Sequence, residues 1–288
     1  MDAVEPGRLV RQALARSAGG IALSGSGASA FARWDSIRSV CLVGGGKAGR
    51  AMGEAAAGIL GEKVKAGILA VPRGQGGISG AVRFLEAGHP YPDGGSVGSA
   101  EAMLRLLSEA GERDLVVALL SGGGSAMIAA PPAGIPLADK EEVTRLLLRA
   151  GADIAEINAV RKHLSRVKGG LMARAAHPER ILAFLLSDVP GDDPSVIASG
   201  LFSPEPTTYG DAMEVLSRRG ILAGIPGSVR AHLESGIAGN AAETPKPGDP
   251  VFSRVTCAVV GSNRSALEAA AAAAKRPGIA YVLTLPGF

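Results

Sequence analysis

Short apolar runs punctuate this chain, and most of them lead into glycine, proline or aspartate. The runs at Ser39–Val43, Ala66–Val71, Val82–Ala87, Leu115–Leu120, Ile181–Leu186 and Val255–Val260 are rich in Val, Leu and Ile and mostly lack polar alternation. That is the pattern of strands buried on both faces of a parallel sheet. Between them, apolar residues at helical spacing predict helices over Leu9–Ala15, Lys47–Leu60, Ser99–Ala110, Leu171–Ala176, Tyr209–Arg219, Ser228–Leu233 and Asn263–Ala274. Two more open at capping-box spacings, Asp139 with Glu142 and Asp153 with Glu156; the second runs to about Ser165. Gly19–Ser29 reads as a flexible Gly/Ser stretch and Gly236–Pro250 as a linker. Strands alternating with helices predict an α/β fold of three layers, α/β/α, around a mostly parallel sheet. Residues 1–240 read as one N-terminal domain. Residues 241–288, with the unit Val255–Val260, Asn263–Ala274 and Ala280–Leu285, read as the incomplete beginning of a C-terminal α/β domain.

Composition narrows the partners. The 288 residues suffice for one large or two medium domains, and 47% hydrophobic with 3% aromatic residues predicts an Ala/Val/Leu/Ile core. A net charge of +3 without a basic stripe argues against nucleic acid or a membrane surface as partner. No apolar run approaches the roughly 18 residues of a membrane span. The start MDAVEPGR has no apolar signal core. Cys41 and Cys257 sit inside strand-like runs and read as buried hydrophobes rather than a disulfide or a zinc site. A soluble cytoplasmic protein is expected, with a homodimer as the assembly to consider.

The chemistry gathers at strand ends, where an open α/β sheet keeps its ligands. The tails of Val40–Lys47, Asp114–Met127 and Ile181–Asp193 are predicted to share one site. Gly44-Gly45-Gly46-Lys47-Ala48-Gly49 satisfies G-x-G-x-x-G, so Gly45 and Gly46 are expected to offer amides to a phosphate, with Lys47 adding a mobile charge. It is not a P-loop, because Ala48 replaces the metal-binding hydroxyl. Ser121-Gly122-Gly123-Gly124-Ser125 reads as an anion nest; Met127 stands where a hydrolase elbow needs glycine. Asn158, Arg161, Lys162 and Ser165 fall on one helical face opposite Ile154, Ile157, Val160 and Leu164, and with Lys168 just beyond they suit a carboxylate or phosphate. Asp188, Asp192 and Asp193 follow a buried strand and suit Mg²⁺ or proton transfer. His89 reads first as structural, with a place lining the site as the alternative.

Taken jointly, VGGGKAGRAM (43–52), GHPYPD (88–93), LLSGGGSA (119–126), NAVRKHLSRVKGG (158–170), LSDVPGDDPSVIASG (186–200) and PTTY (206–209) resemble the glycerate 2-kinase family of the MOFRL-associated DUF4147 type. The resemblance covers nearly the whole chain. It implies a Rossmann-like fold and transfer of the ATP γ-phosphoryl group to the 2-hydroxyl of D-glycerate, with Mg²⁺. Lys47 and Arg161 would then hold substrate or phosphate charge, the Gly122–Gly124 nest would take phosphates, and Asp188, Asp192 or Asp193 would serve metal or proton transfer. Leu201-Phe202 stands where the family usually has Pro-Thr. The resemblance also implies a C-terminal MOFRL domain beginning about where this sequence stops. A chain lacking most of it is expected to bind poorly or be inactive. The alternatives are a hydroxypyruvate reductase using NAD(P)H, for which strand Ala66–Val71 ends in Pro72-Arg73 rather than an acidic residue, and a non-catalytic anion-binding fragment.

Overall fold

Leu115, Val117 and Leu119 turn to one face of the central strand and Val116, Ala118 and Leu120 to the other, and all are buried. A strand so covered must lie mid-sheet with helices on both sides. The computed structural model describes residues 4–26 and 28–274. It opens with helix α1 (Pro6–Ala13) and a small antiparallel sheet of β1 (Leu14–Arg16), β2 (Gly20–Gly25) and β3 (Ala28–Arg33). The main sheet begins with β4 (Ser39–Gly45), then α2 (Gly49–Leu60), β5 (Val64–Val71), β6 (Gly77–Ser79), β7 (Val82–Glu86), α3 (Gly94–Ser108) and the central strand β8 (Asp114–Leu120). A one-turn helix α4 (Gly124–Met127) leaves β8 and leads to α5 (Leu137–Arg149), α6 (Ile154–His163), α7 (Leu171–Arg174) and β9 (Arg180–Leu186). Helices α8 (Tyr209–Arg218) and α9 (Gly227–Ile237), strand β10 (Val255–Gly261) and helix α10 (Asn263–Ala274) complete the described chain.

The seven strands run in the order β10-β9-β8-β4-β5-β7-β6, all parallel except the antiparallel pairing of β6 with β7. From β4 the chain builds outward through β5 and β7, then returns across β4 to place β8, β9 and β10. The order therefore reverses between β4 and β8, and the crevice beyond their carboxyl ends is where such sheets bind ligands. Helices α1 and α2 cover one face through Val10, Met52, Ala56 and Leu60, and α3 covers the other through Ala100, Met103 and Leu107. Helices α5, α6, α8 and α9 bury a separate apolar cluster that includes Val143, Leu147, Val160, Leu216 and Leu233.

Several expectations change. The stretch 19–29 is not a flexible linker: β2 pairs with both β1 and β3, and Ile21 and Leu23 are fully covered. Its glycines and serines mask two apolar residues whose partners lie elsewhere in the chain. Helix α5 starts at Leu137 with Pro136 in the cap position, so Asp139 sits in the first turn, where it accepts a hydrogen bond from the Ser228 hydroxyl. Asp153 and Glu156 form the expected capping box of α6. Strand β10 pairs in parallel with β9 as an edge of the same sheet. The strand expected at Ala280–Leu285 lies outside the described residues.

Candidate active site

The loops after β4 and β8 interlock at the switch point. The Gly46 N–H donates to Ala70 O (3.0 Å), that of Lys47 to Gly122 O (2.8 Å), that of Ala48 to Ser121 Oγ (3.1 Å) and that of Gly49 to Gly46 O (3.0 Å). Gly44 and Gly45 lie inside the ladders to β5 and β8, where a Cβ on Gly44 would stand 2.1 Å from Leu119 O. The expectation that Gly45 and Gly46 present amides to phosphate therefore fails. This loop is glycine because neighbouring backbones occupy the Cβ positions. Only the exposed Lys47 side chain leaves it for the crevice, and among the described residues it meets no carboxylate.

The loop after β8 is different. Ser121 N–H donates to Gly45 O and Gly124 N–H to Ser121 O, but the amides of Gly122, Gly123 and Ser125 have no acceptor among the described residues. Three neighbouring unpaired N–H groups form a nest for an anion. Around it stand Asp188, whose Oδ2 would lie 2.1 Å from a Cβ on Gly122, and His89 and Lys47, whose Cδ2 and Cγ would lie 2.9 and 3.4 Å from one on Gly123. Burial and the nearby Lys47 charge lower the His89 pKa from its ordinary value, with Asp188 opposing, which favours the neutral imidazole. His89 thus belongs to the site rather than only to the scaffold. The GHPYPD stretch carried that signal, but only the fold sets it against Gly123.

Behind the nest, several predicted ligands support the structure instead. The Lys168 ammonium is fully buried and donates to Ser125 O (2.7 Å), Ser125 Oγ (3.1 Å) and Ile128 O (3.3 Å). The Arg161 Nη2 also donates to Ser125 Oγ (2.7 Å). With both its lone pairs taken, the Ser125 hydroxyl must donate its proton to Ser199 Oγ (2.7 Å), which donates in turn to Asn158 Oδ1 (3.4 Å). The Ser125 hydroxyl and the Lys168 ammonium are therefore engaged within the protein, and Asn158 accepts at its Oδ1. Lys162 turns away into a buried ion pair with Glu205, and Ser165 Oγ accepts from the amides of Val167 and Lys168. Much of the α6 face expected to meet an anion is packed inward, with Asn158, Lys162 and Ser165 buried, while Ile154 on the opposite, apolar face is exposed. Leu201 and Phe202 are core residues.

On the β9 side, Asp188 is exposed at the crevice, whereas Asp193 Oδ1 accepts the Ser195 amide (2.8 Å) as a turn former. No group of three His, Cys, Asp or Glu side chains among the described residues could cage a metal alone. A single crevice carboxylate, Asp188, meets a looser demand, since Mg²⁺ commonly takes one or two carboxylates and completes its shell with phosphate oxygens and water.

A family model described as a domain of unknown function, DUF4147, matches residues 1–234. The chain is 41% identical over 246 residues to the glycerate 2-kinase of Pyrococcus horikoshii, covering 85% of this chain and 54% of that one. It is 44% identical over 238 residues to an Agrobacterium vitis protein provisionally named a hydroxypyruvate reductase, covering 83% and 52%. The crystal structure of a glycerate kinase from Thermotoga maritima aligns with a TM-score of 0.79 at 34% identity, over 97% of this chain and 60% of that one. The chain spans about half the length of the curated relatives it matches. With the fold, the motif set and these relatives in agreement, the chain belongs to the DUF4147, or glycerate 2-kinase, family.

Proposed function

We propose that the chain carries the catalytic core of a glycerate 2-kinase, which moves the γ-phosphoryl group of ATP to the 2-hydroxyl of D-glycerate and yields 2-phosphoglycerate and ADP. The observation that carries this reading is the convergence of Lys47, the free amides of Gly122, Gly123 and Ser125, and Asp188 on one crevice at the β4/β8 switch point. Phosphoryl transfer asks a protein mainly for positioning and for charge stabilisation on the transferred oxygens. The amide nest and the Lys47 ammonium supply fixed and mobile positive charge. Asp188 would hold Mg²⁺, which would neutralise phosphate charge. His89, which stands beside both Lys47 and Gly123, would take the proton of the attacking hydroxyl.

The reductase alternative needs amides for a dinucleotide pyrophosphate at the G-x-G-x-x-G loop, and those amides are already engaged at Gly46, Lys47, Ala48 and Gly49. A coupled assay of the purified protein with ATP, Mg²⁺ and D-glycerate, run beside one with NADPH and hydroxypyruvate, separates the readings. ADP release dependent on glycerate supports the kinase, and nicotinamide oxidation without ADP release rejects it. Silence in both with ATP still raising Tm favours an anion-binding unit without turnover.

A further inference from the structure

Along the side of α3 that faces the sheet edge, the helix carries little bulk. Gly95, Gly98, Ser99, Ala102 and Arg105 follow helical spacing, and all five line a hollow of about 550 Å³. The opposite wall is β7, the neighbour of edge strand β6. There Arg83 and Leu85 alternate with Val82 and Phe84, which pack into the core on the other face of the sheet. Larger side chains on α3 would fill this space, and the small ones leave it as a trough. None of its lining residues also lines the crevice beside Lys47 and His89.

Two independent observations give the hollow a chemistry. Ser99 is fully buried, and its Oγ has no hydrogen-bond partner among the described residues. A serine inside a helix commonly donates to the carbonyl four residues back, and a buried hydroxyl left unpaired is costly. Arg83 and Arg105 stand on opposite walls, and neither guanidinium forms an ion pair or a hydrogen bond among the described residues. Neighbouring arginines behave otherwise: Arg50 donates to Gln75 O and Gly76 O and pairs with Glu54, and Arg73 pairs with Asp93. The carboxylate in the lining is Glu86, whose Oε1 accepts the amides of Gly74 and Gly76. It offsets one of the two arginines, so the lining keeps a positive charge. A free guanidinium fork matches two oxygens of a planar or tetrahedral anion.

We propose that the hollow between α3 and β7 is a second ligand site, which binds a small organic anion carrying a phosphate or a carboxylate. Arg83 and Arg105 hold the oxyanion from opposite walls, the Ser99 hydroxyl at the floor donates to the ligand, and Leu85 and Ala102 cover its carbon body. A volume of about 550 Å³ is within the range of small-molecule sites and leaves room for more than the anionic group alone. The inference stands without the kinase reading, because no group of the crevice takes part in it.

The test is an NMR titration of the isotope-labelled full chain with inorganic phosphate and, separately, with malonate. The amide signals of Gly77, Gly98 and Ser99 should move with at least one of these anions, on a binding curve distinct from that of Gly122, Gly123 and Ser125 in the crevice. The tighter of the two identifies the anionic group as phosphate or carboxylate. Both arginines are exposed, so Arg83→Gln combined with Arg105→Gln should keep the fold. It should weaken the binding read at Gly77 and Gly98 by about tenfold or more, the scale of lost charge-assisted contacts, while Lys47→Ala leaves it within about twofold. Signals that stay still with both anions, an unchanged affinity in the double variant, or an equal loss in Lys47→Ala would overturn the site. Ser99→Ala should keep or raise the wild-type Tm, since no bond is lost and alanine favours a helix, yet weaken the anion by about threefold or more. A lower Tm would show that the hydroxyl already has a partner within the protein, and that result, like an unchanged affinity, would overturn its role in the site.

Discussion

The Gly44–Gly46 run and the Gly122–Gly124 run stand side by side at the ends of β4 and β8, yet their backbones meet different fates. In the first, neighbouring strands press where side chains would be, and the amides from Gly46 through Gly49 all find acceptors within the protein. In the second, the amides of Gly122, Gly123 and Ser125 are left unpaired beside Lys47, His89 and Asp188. The first loop packs so that the second can stay open. Consecutive glycines thus mark two separate needs, close approach of backbones and a bare surface for a ligand. Only the destination of each N–H group tells them apart.

Substitutions should divide along that line. The largest effect is expected from Gly44→Ala, whose new methyl would meet the backbone of Leu119 at 2.1 Å with φ at +133°. A loss of about 4 kcal/mol or more, or failure to fold, should appear in denaturant unfolding. A stable Gly44→Ala protein would mean the first loop is not packed shut. Next is Lys162→Met, which leaves Glu205 charged and buried; it should cost about 3–5 kcal/mol, and Lys162→Met with Glu205→Met should recover most of it. Lys47→Ala should keep the wild-type Tm and lower turnover about 100-fold, the scale of a lost charge-stabilising donor. Lys63, which reaches Ile37 O at the amino ends of β4 and β5, is the control, and equal losses in Lys63→Ala would remove Lys47 from the site.

Gly123→Ala sharpens the contrast with Gly44→Ala. Its methyl meets the side chains of His89 and Lys47 rather than backbone, at φ +85°, so a destabilisation of only about 1–2 kcal/mol should accompany a clear loss of turnover. A further expected effect is a pH dependence. Burial, with Arg161 adding to it, lowers Lys140 to about 7, against about 10.4 for a lysine in the unfolded chain. Between those values the unfolded state binds the extra proton, so stability should rise as pH climbs from about 7 to about 10. Below that window the folded state carries the full cost of a buried charge. Lys140→Met should flatten the climb in Tm, and a mutant curve parallel to wild type would deny Lys140 its buried environment.

Much of this was legible beforehand. Leu115–Leu120 and Ile181–Leu186 announce buried strands because both parities are apolar, and Asp153 with Glu156 announces the start of α6 because the capping bonds are local. Lys47, the Gly122–Gly124 turn and Asp188 were readable as strand-end chemistry, since a parallel sheet places its carboxyl-end loops on one margin. The exchange of roles within residues 158–168 was not. Asn158, Lys162 and Lys168 are polar, and helical periodicity assigns polar residues to solvent. Glu205 and Ser199 come from a loop far along the chain, and their arrival turns that face inward. Lys140, between Asp139 and Glu141, looks like an ordinary surface lysine, yet it reaches the carbonyls that end α6.

The sequence alone determined the local matters: which segments are strands or helices, where α6 is capped, and which residues have the chemistry to hold an anion. Those follow from periodicity and from bonds spanning a few residues. Only the tertiary structure decided which glycine amides stay free, which lysines are paired, and that His89 faces Gly123. These depend on what the fold brings from elsewhere in the chain to each donor and each charge, and a one-dimensional pattern carries no record of that.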